Sequence, residues 1–297
     1  MHSKKLTKAI LCLAFSSSLF ASDYRFISID VPGSSFTAAA GINARGDIVG
    51  RYLDSDGLSH GFLMRNGMFS TIDFPNASFT AVRAINARGD MVGRMELADG
   101  VDHAFLLHDR QFTQIDFPGA SATIGRGLNN AGDVTGNYTD DMDNEIAFVF
   151  QNGRFQSIDV DPCSGDVWMA MDDGRVLVGD NCTNPTNALH GFIYEQGKFH
   201  SIDFPGTAGR CTAIRWINER EEIVGLFAYV ATTDECYDPT TSYHGFLLEQ
   251  GTYTAINFPG AVSTQAFSIN DDGQIVGQYT DKNGVVHGFK AVPKQEH

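Results

Sequence analysis

The sequence contains no internal apolar run long enough to cross a membrane as a helix. Its N-terminal apolar stretch, residues 9–13, is short, follows three lysines within residues 4–8, and precedes a serine-containing segment that ends at Ala21. A basic start, a short apolar stretch and a small residue at the end are typical of a secretory signal peptide. We therefore predict a signal peptide over residues 1–21 and an exported product, secreted or periplasmic, without membrane contact.

Basic residues are also scarce. The chain has 21 Lys and Arg against 36 Asp and Glu, which gives a net charge of −15. Loss of the predicted signal peptide with its three lysines would take this charge to −18. Such a surface repels nucleic acids and anionic lipids, so we expect no nucleic-acid partner.

Zinc-type cysteine pairs are missing, since no C-x-x-C occurs. Of the five cysteines, Cys12 would leave with the signal peptide. An even number then remains for an oxidising compartment, which favours disulfides. These cysteines are Cys163, Cys182, Cys211 and Cys236. The signatures G-x-S-x-G and H-E-x-x-H are absent as well, so no motif indicates a catalytic mechanism.

What the sequence does contain is a six-fold repeat. Each copy reads I-D-x-P, then I-N-x-x-G-D-x-V-G, then H-G-F, with a period of about 43 residues and one longer spacing. The first element supplies an aspartate in five copies and Asn257 in the sixth. The aspartates are Asp30, Asp73, Asp116, Asp159 and Asp203.

One repeat predicts four antiparallel strands, which we name A, B, C and D in chain order. In the second copy, apolar residues 79–85 and 91–95 flank the turn residues 86–90, as in a type I turn closed by a glycine bulge. A third apolar strand begins at His103, and the alternating segment 111–117 is a fourth. No helix pattern appears.

Four short strands per repeat are typical of a β-propeller blade. The chain begins with a lone D strand at residues 24–31, and its last copy stops after strand C near Phe289. We predict that the N-terminal strand closes the last blade. The fold is then an all-β, six-bladed β-propeller of four-stranded blades, one domain over residues 22–292 with a tail at 293–297. A β-solenoid or a row of small β domains is the alternative, and neither explains a split terminal unit.

With these motifs in place, the chain resembles the bacterial extracellular repeat family named for its H-A-F tripeptide, the HAF repeat. The third copy departs from the pattern at Ile146, and the fourth has Asp172 where the others have asparagine. The resemblance implies a bacterial, exported repeat protein with no catalytic residues to carry over. The tripeptide occurs as His103-Ala104-Phe105, and as H-G-F from His60, His190, His244 and His287.

We predict structural roles for the repeated polar residues. The histidines stand in separate blades, too far apart to share a metal ion, and each is expected to bond the aspartate of I-D-x-P. The asparagines of I-N are predicted turn residues. Arg45-Gly46-Asp47 and Arg88-Gly89-Asp90 spell an integrin-like tripeptide, but both lie in A–B turns, where glycine has a backbone role.

The D–A and B–C connections of a propeller lie on one face, which we name the loop face. All four remaining cysteines are predicted to lie there. Pairing Cys163 with Cys182 would brace blade four, and pairing Cys211 with Cys236 would brace the long connection 227–243 of blade five; three connectivities are possible. Long braced loops favour a binding site, and a tolerated insertion is the alternative.

The B–C loops are acidic, which raises the question of calcium. Carboxylate oxygens suit this cation, although the spacing is not that of an EF-hand. A solvated acidic rim is the favoured interpretation, so no cofactor is predicted beyond this calcium alternative. The candidate ligands are Asp140, Asp141, Asp143 and Glu145.

One position of strand A, counted back from I-N, is unusual. It holds Ala40, Arg83, Arg126, Met169, Arg215 and Phe267. Because strand A lies nearest the axis, we predict three guanidinium groups around a central funnel, flanked by Trp168 and Trp216. Ion pairs with carboxylates of adjacent blades are the favoured explanation, since an inner cation is costly unless paired. Otherwise the funnel would hold a small anionic ligand or sugar acid, bound by arginine and stacked on indole.

These observations favour a non-enzymatic binding or interaction module, with its ligand site on the loop face and in the central funnel. A small anionic ligand or a glycan is the expected partner of a monomeric protein. The alternative is a carbohydrate-active hydrolase or lyase, because propellers support both kinds of function and the fold does not decide. A cell-surface structural protein is a third interpretation.

Overall fold

The computed structural model describes residues 23–158, 168–173, 176–183, 188–207, 211–230, 236 and 240–294, with the backbone alone at residues 168–169 and 181–183. Within these ranges the chain forms 24 β-strands and no α-helix. In the same ranges, no helix of sufficient length and apolarity to span a bilayer is present.

The strands form six antiparallel sets of four. Blade one is β2 (Phe36–Ile42), β3 (Ile48–Leu53), β4 (Ser59–Arg65) and β5 (Met68–Ile72), and blade two is β6 (Phe79–Ile85), β7 (Met91–Glu96), β8 (Asp102–His108) and β9 (Gln111–Gln114). Blade three is β10 (Ala122–Leu128), β11 (Val134–Thr139), β12 (Glu145–Gln151) and β13 (Arg154–Ile158), and blade four is β14 (Trp168–Met171), β15 (Leu177–Thr183), β16 (Ala188–Glu195) and β17 (Lys198–Ile202). Blade five is β18 (Thr212–Ile217), β19 (Ile223–Phe227), β20 (His244–Glu249) and β21 (Thr252–Ile256), and blade six is β22 (Ser263–Ile269), β23 (Ile275–Thr280), β24 (Val286–Pro293) and β1 (Tyr24–Ile29).

The N-terminal strand closes the ring as predicted. β1 pairs antiparallel with β24, in a register that runs from Tyr24 opposite Pro293 to Ile29 opposite Gly288. At the outer end of this pair, the Lys294 N–H donates to the Asp23 carbonyl at 2.6 Å. Each inner strand A packs against the A strands of both neighbouring blades, so the six surround a common axis. The six-bladed β-propeller is therefore confirmed, and the solenoid and the row of separate domains are excluded.

Strand A carries a β-bulge in five blades, and the arginines occupy it. The register skips one residue in β2, β6, β10, β18 and β22, and in β6, β10 and β18 that residue is Arg83, Arg126 and Arg215. Blade four has no bulge in its described pairs, because Met169 lies opposite Gly179 as Val82 lies opposite Gly93. The predicted alignment of Met169 with the arginines was therefore wrong.

The motif residues V-G and H-G-F meet in the core of each blade. Gly50 in strand B lies opposite Phe62 in strand C, and the phenylalanine is fully buried. A Cβ at Gly50 would lie 1.9 Å from the Ala38 carbonyl oxygen and 2.8 Å from Phe62 Cε1. Since five of the blades repeat this arrangement, the glycine makes room for the ring that fills the blade.

The I-D-F-P segment connects each blade to the next. Phe117 leaves blade two and stacks on Tyr138 of blade three at 3.6 Å between ring centroids, and Phe258 leaves blade five and stacks on Tyr279 of blade six at 3.7 Å. The Phe117 N–H also donates to Thr123 Oγ1 at 3.1 Å. These contacts bury the connection and hold adjacent blades in register.

Candidate functional site

The A–B turns close one end of the axis with a ring of amide side chains. Asn43 Oδ1 accepts the N–H groups of Arg45 and Asp47, each at 3.0 Å, which confirms the predicted turn role. Its Nδ2 donates to the Asn86 carbonyl of the next blade at 3.2 Å. The same bond to the next blade is made by Asn86, Asn129, Asn218 and Asn270. In blade four the carboxyl group of Asp172 stands in place of the amide and supplies no N–H to continue the ring.

Trp216 fills the axis just inside this ring. A cavity of about 60 Å³ is lined by the asparagines together with Met171 and Trp216. Trp216 is 9% exposed and stands where the other blades have Gly41, Ala84, Gly127, Ala170 and Ser268. The structure therefore places Trp216 among the A–B turn asparagines, at the end of the axis opposite the loop face. The side chain of Trp168 lies outside the described residues.

The integrin-like tripeptides are parts of these same turns. Arg45 Nη2 pairs with Asp47 Oδ2 at 3.1 Å, and Arg88 Nε pairs with Asp90 Oδ2 at 2.9 Å. Both carboxylates are buried, and Gly46 and Gly89 have φ of 77° and 94°. The structural interpretation of these segments is confirmed.

On the loop face, each motif histidine binds the residue of the I-D-x-P position. His60 Nδ1 contacts Asp73 Oδ2 at 2.9 Å, and its Nε2 contacts Asp54 Oδ2 of the B–C loop at 3.2 Å. The first of these contacts recurs in four other blades, which confirms the predicted role. The pairs are His103–Asp116, His190–Asp203, His244–Asn257 and His287–Asp30.

The carboxylates change the acidity of these histidines. Partial burial lowers the pKa of His103, but the hydrogen bonds and charges of Asp99 and Asp116 outweigh it and raise this pKa above the usual range. The pKa of His60 is raised in the same way by Asp73 and Asp54. His60 and His103 thus each tie a B–C loop to a D–A connection, most strongly when they are protonated.

Arg126 and Arg215 are engaged by neighbouring side chains. Arg215 forms an ion pair through Nη1 with Asp180 of the adjacent blade, which confirms the favoured explanation for this residue. Arg126 is 3% exposed, and its Nε donates to Asn137 Oδ1 at 2.9 Å. Asn137 Nδ2 in turn donates to Glu145 Oε2 at 3.0 Å. Arg83 is half-buried on its bulge.

A second set of arginines, which the sequence did not single out, lies on strand B. Arg51 Cζ stands 4.3 Å from the centroid of the Phe36 ring and 5.9 Å from that of Phe79, and Arg94 Cζ stands 4.5 Å from that of Phe79. We name Phe36, Arg51, Phe79 and Arg94 the arginine–phenylalanine ladder. It spans the loop-face end of blades one and two, where strand A begins.

The two ladder arginines differ in their partners. Arg94 Nη1 pairs with Asp102 Oδ2 at 2.5 Å. Within the described part of the chain, Arg51 has neither an ion pair nor a hydrogen bond. Burial, and then the charge of Arg94, lowers the pKa of Arg51 below the usual range of a guanidinium. Arg51 is therefore a partly desolvated cation beside aromatic rings, a state that a bound anion would relieve. The signal in the sequence was an arginine after V-G in two repeats.

The calcium candidates do not converge. Asp140 Oδ1 accepts the N–H groups of Met142 and Asn144 at 2.8 and 2.9 Å, and Glu145 is turned towards Asn137. The described residues contain no group of three or more His, Cys, Asp or Glu side chains arranged to hold a metal ion. The carboxylates of Asp140 and Glu145 are thus used in hydrogen bonds within the chain. Asp141 and Asp143 lie on the same turn as Asp140.

One of the two predicted disulfides is present. Cys211 and Cys236 are bonded, with 5.5 Å between their Cα atoms, and both residues are buried. Tyr243 Oη donates to the carbonyl of Cys236, so the long connection of blade five is fixed at two points. Cys163 and the side chain of Cys182 lie outside the described residues.

No family model matches this sequence, and no curated protein matches it as a relative. Several solved structures share its fold. The six-bladed, fucose-recognising lectin of the fungus Aleuria aurantia aligns at a TM-score of 0.52 with 9% identity, over 91% of this chain and 99% of the lectin. A triple arginine-to-alanine mutant of AofleA from Arthrobotrys oligospora aligns at 0.55 with 13% identity, over 89% and 85% of the two chains.

An enzyme is among the similar structures as well. A catalytically inactive histidine-to-alanine mutant of virginiamycin B lyase from Staphylococcus aureus, in complex with quinupristin, aligns at a TM-score of 0.50 with 11% identity, over 91% of this chain and 99% of the lyase. At these identities the similarity shows the fold alone. The propeller scaffold is thus one that serves both binding and catalysis.

Proposed function

We propose that this chain is an exported bacterial propeller of the HAF-repeat type that acts as a non-enzymatic binding module for an acidic glycan. The arginine–phenylalanine ladder on the loop face is the proposed site. A carboxylate or sulfate of the glycan would pair with the Arg51 guanidinium, and a sugar ring would lie against the neighbouring aromatic surface.

This proposal rests on one observation, namely that Arg51 has no ion-pair or hydrogen-bond partner among the described residues. In a chain of net charge −15, this guanidinium is desolvated beside two phenylalanines and a second arginine, and no carboxylate contacts it within the described ranges. A partly desolvated cation lowers the stability of the fold unless an opposite charge or a hydrogen bond compensates for the lost hydration. The saccharide class is supported by the lectins of the same fold, which recognise fucose.

The experiment compares binding of oligogalacturonate and sialyllactose with binding of lactose by titration calorimetry. We expect the acidic glycans to bind and lactose to bind at least tenfold more weakly at this site. Arg51→Ala should weaken acidic-glycan binding about tenfold or more, which is about 1.4 kcal/mol. Arg51→Lys should recover only part of the loss, because an ammonium keeps the charge but not the planar, bidentate donor set.

Arg25→Ala is the matched control, since Arg25 is an exposed arginine on β1 in blade six. Its removal changes the net charge equally and should leave binding unchanged. Equal losses in the Arg51 and Arg25 variants would mean that net charge alone drives binding, and the ladder would not be the site. Equal affinity for acidic and neutral glycans would contradict the proposed ligand class.

A further inference from the structure

Departures from the repeat converge between blades five and six. The connection from Phe227 to His244 is the long B–C connection of the chain, and the Cys211–Cys236 disulfide braces it. In the same blade, the I-D-x-P element reads I-N-F-P, with Asn257 in place of aspartate. Blade six is the one that is completed by the N-terminal strand. Three irregularities in a regular ring thus meet at one blade interface.

A cleft of about 570 Å³ opens at this interface, within the size range of small-ligand sites. Four aromatic residues contribute to its walls: Tyr24, Phe26, Tyr243 and Phe258. Among the described residues that line it there is no aspartate or glutamate, although the chain has 36 acidic residues. Lys294 is the one lysine or arginine among these described residues, so the walls of the cleft are largely aromatic and carry no carboxylate.

His244 and Asn257 leave a hydrogen-bond donor and an acceptor unused at the cleft. His244 Nδ1 contacts Asn257 Oδ1 at 3.1 Å, and both residues line the cleft. With that oxygen accepting, Nδ1 carries the proton, so His244 Nε2 is an acceptor and Asn257 Nδ2 a donor. Neither atom has a partner within the described residues. Flipping the amide exchanges the two roles and again leaves one donor and one acceptor.

The other blades lack this pair. In blades one and two the histidine bridges two carboxylates, and both ring nitrogens are occupied. Asn257 places an uncharged amide where the other blades have a carboxylate. Blade five therefore presents a donor and an acceptor side by side, which matches a hydroxyl group or a vicinal diol, next to rings on which the apolar face of a sugar packs.

We propose that the cleft between blades five and six binds an uncharged saccharide unit, with His244 Nε2 and Asn257 Nδ2 bonding its hydroxyl groups. This site is separate from the arginine–phenylalanine ladder of blades one and two, and it does not require the acidic-glycan function. The two sites lie on different parts of the ring and differ in ligand charge.

The test uses the full mature chain and the methyl glycosides of glucose, galactose, mannose, fucose and N-acetylglucosamine, measured by ligand-observed NMR and calorimetry. We expect at least one glycoside to bind with a Kd of about 10 mM or tighter. Asn257→Asp should weaken this binding tenfold or more, because a carboxylate has no N–H with which to bond the sugar hydroxyl. Since the other five blades have aspartate at this position, the variant should fold with an unchanged or raised Tm.

Asp116→Asn is the control, because it makes the reverse exchange in blade two and should leave glycoside binding unchanged. His244→Gln is the second variant, which removes the imidazole acceptor and should also weaken binding tenfold or more. The proposal is overturned if none of the five glycosides binds, or if both variants at the cleft bind as the unaltered protein does. Loss of acidic-glycan binding in Arg51→Ala with intact glycoside binding would show that the two sites are independent.

Discussion

His103 shows how one repeated residue makes the loop face sensitive to pH. Its imidazole lies between Asp116 and Asp99, at 2.8 and 3.0 Å. Because these contacts raise its folded-state pKa above the usual value, protonated His103 stabilises the fold at pH below its unfolded-state pKa. That contribution is lost as the pH rises through the folded-state pKa.

We therefore expect His103→Gln to be less stable than the unaltered protein at pH 5.5, by about 1 kcal/mol, with a difference that shrinks towards pH 9. Thermal unfolding of both proteins across this range measures the effect. His200→Gln, at an exposed histidine of β17, is the control and should show no such trend. A difference for His103→Gln that stays constant from pH 5.5 to 9 would contradict the electrostatic explanation.

The sequence predicted the partners of these histidines but not the contacts of Arg51 and Arg94. The H-x-F and I-D-x-P elements recur together, so their residues are forced into the same relation in each blade. Arg51 and Arg94 appear in two repeats only, and the contact of Arg51 with Phe79 runs from blade one to blade two. Periodicity identifies equivalent positions, whereas a contact between blades depends on the rotation from one blade to the next.

At the scale of elements, the A–B turns form a ring of hydrogen bonds with one gap, at Asp172, where the amide donor is missing. Five asparagines each donate to the carbonyl of the next turn, and Asp172 interrupts the series before Asn218. Partial desolvation, followed by the charges of Asp173, Asp172 and Asp271, raises the pKa of the neighbouring Glu219. The gap at Asp172 therefore lacks one hydrogen-bond donor and also places several carboxylates near Glu219, where their charges repel.

Asp172→Asn should complete the ring. Its Oδ1 can keep accepting from the Val176 N–H, as Asn43 does in blade one, and its Nδ2 supplies the missing bond. We expect stabilisation by about 1 kcal/mol, measured by chemical unfolding at pH 7. Asn129→Asp, which opens a second gap, is the matched reverse change and should destabilise by a similar amount. A destabilised Asp172→Asn variant would show that the carboxylate serves another interaction at this turn.

The elements themselves were well predicted, and the exceptions have a physical cause. The strand order A-B-C-D and the glycine turns follow from local patterns, and both are confirmed. The bulge in strand A was missed, and with it the shift of Met169. A bulge adds one residue to one strand without changing the apolar pattern that marks the strand, so its place is decided by pairing with strand B.

At the scale of the whole molecule, the first and the last strand of the ring, β1 and β24, meet in blade six. A circular permutant that joins residue 294 to residue 23 through a short linker, and opens the C–D turn at Asn152–Gly153, keeps every strand register of the ring. We expect its free energy of unfolding to stay within about 1 kcal/mol of the original, since only loop closure changes. Deletion of residues 23–29 should instead leave β24 as an open edge, lower the Tm and promote self-association.

Unfolding curves and size-exclusion chromatography of the permutant and the deletion variant test this expectation. A permutant that fails to fold while the deletion variant remains a stable monomer would mean that β1 is dispensable for the ring. The closure was predictable because a lone D strand and a final A-B-C set can be recognised from the sequence alone.

The pairing of β1 with β24 also sets an order in time. Of the strands in this ring, the one synthesised first bonds to the one synthesised last, so the ring cannot close before translation has passed Gly288. A product that stops earlier presents unpaired sheet edges, which chaperones and proteases can bind. Ring closure therefore separates molecules with all six blades from truncated ones.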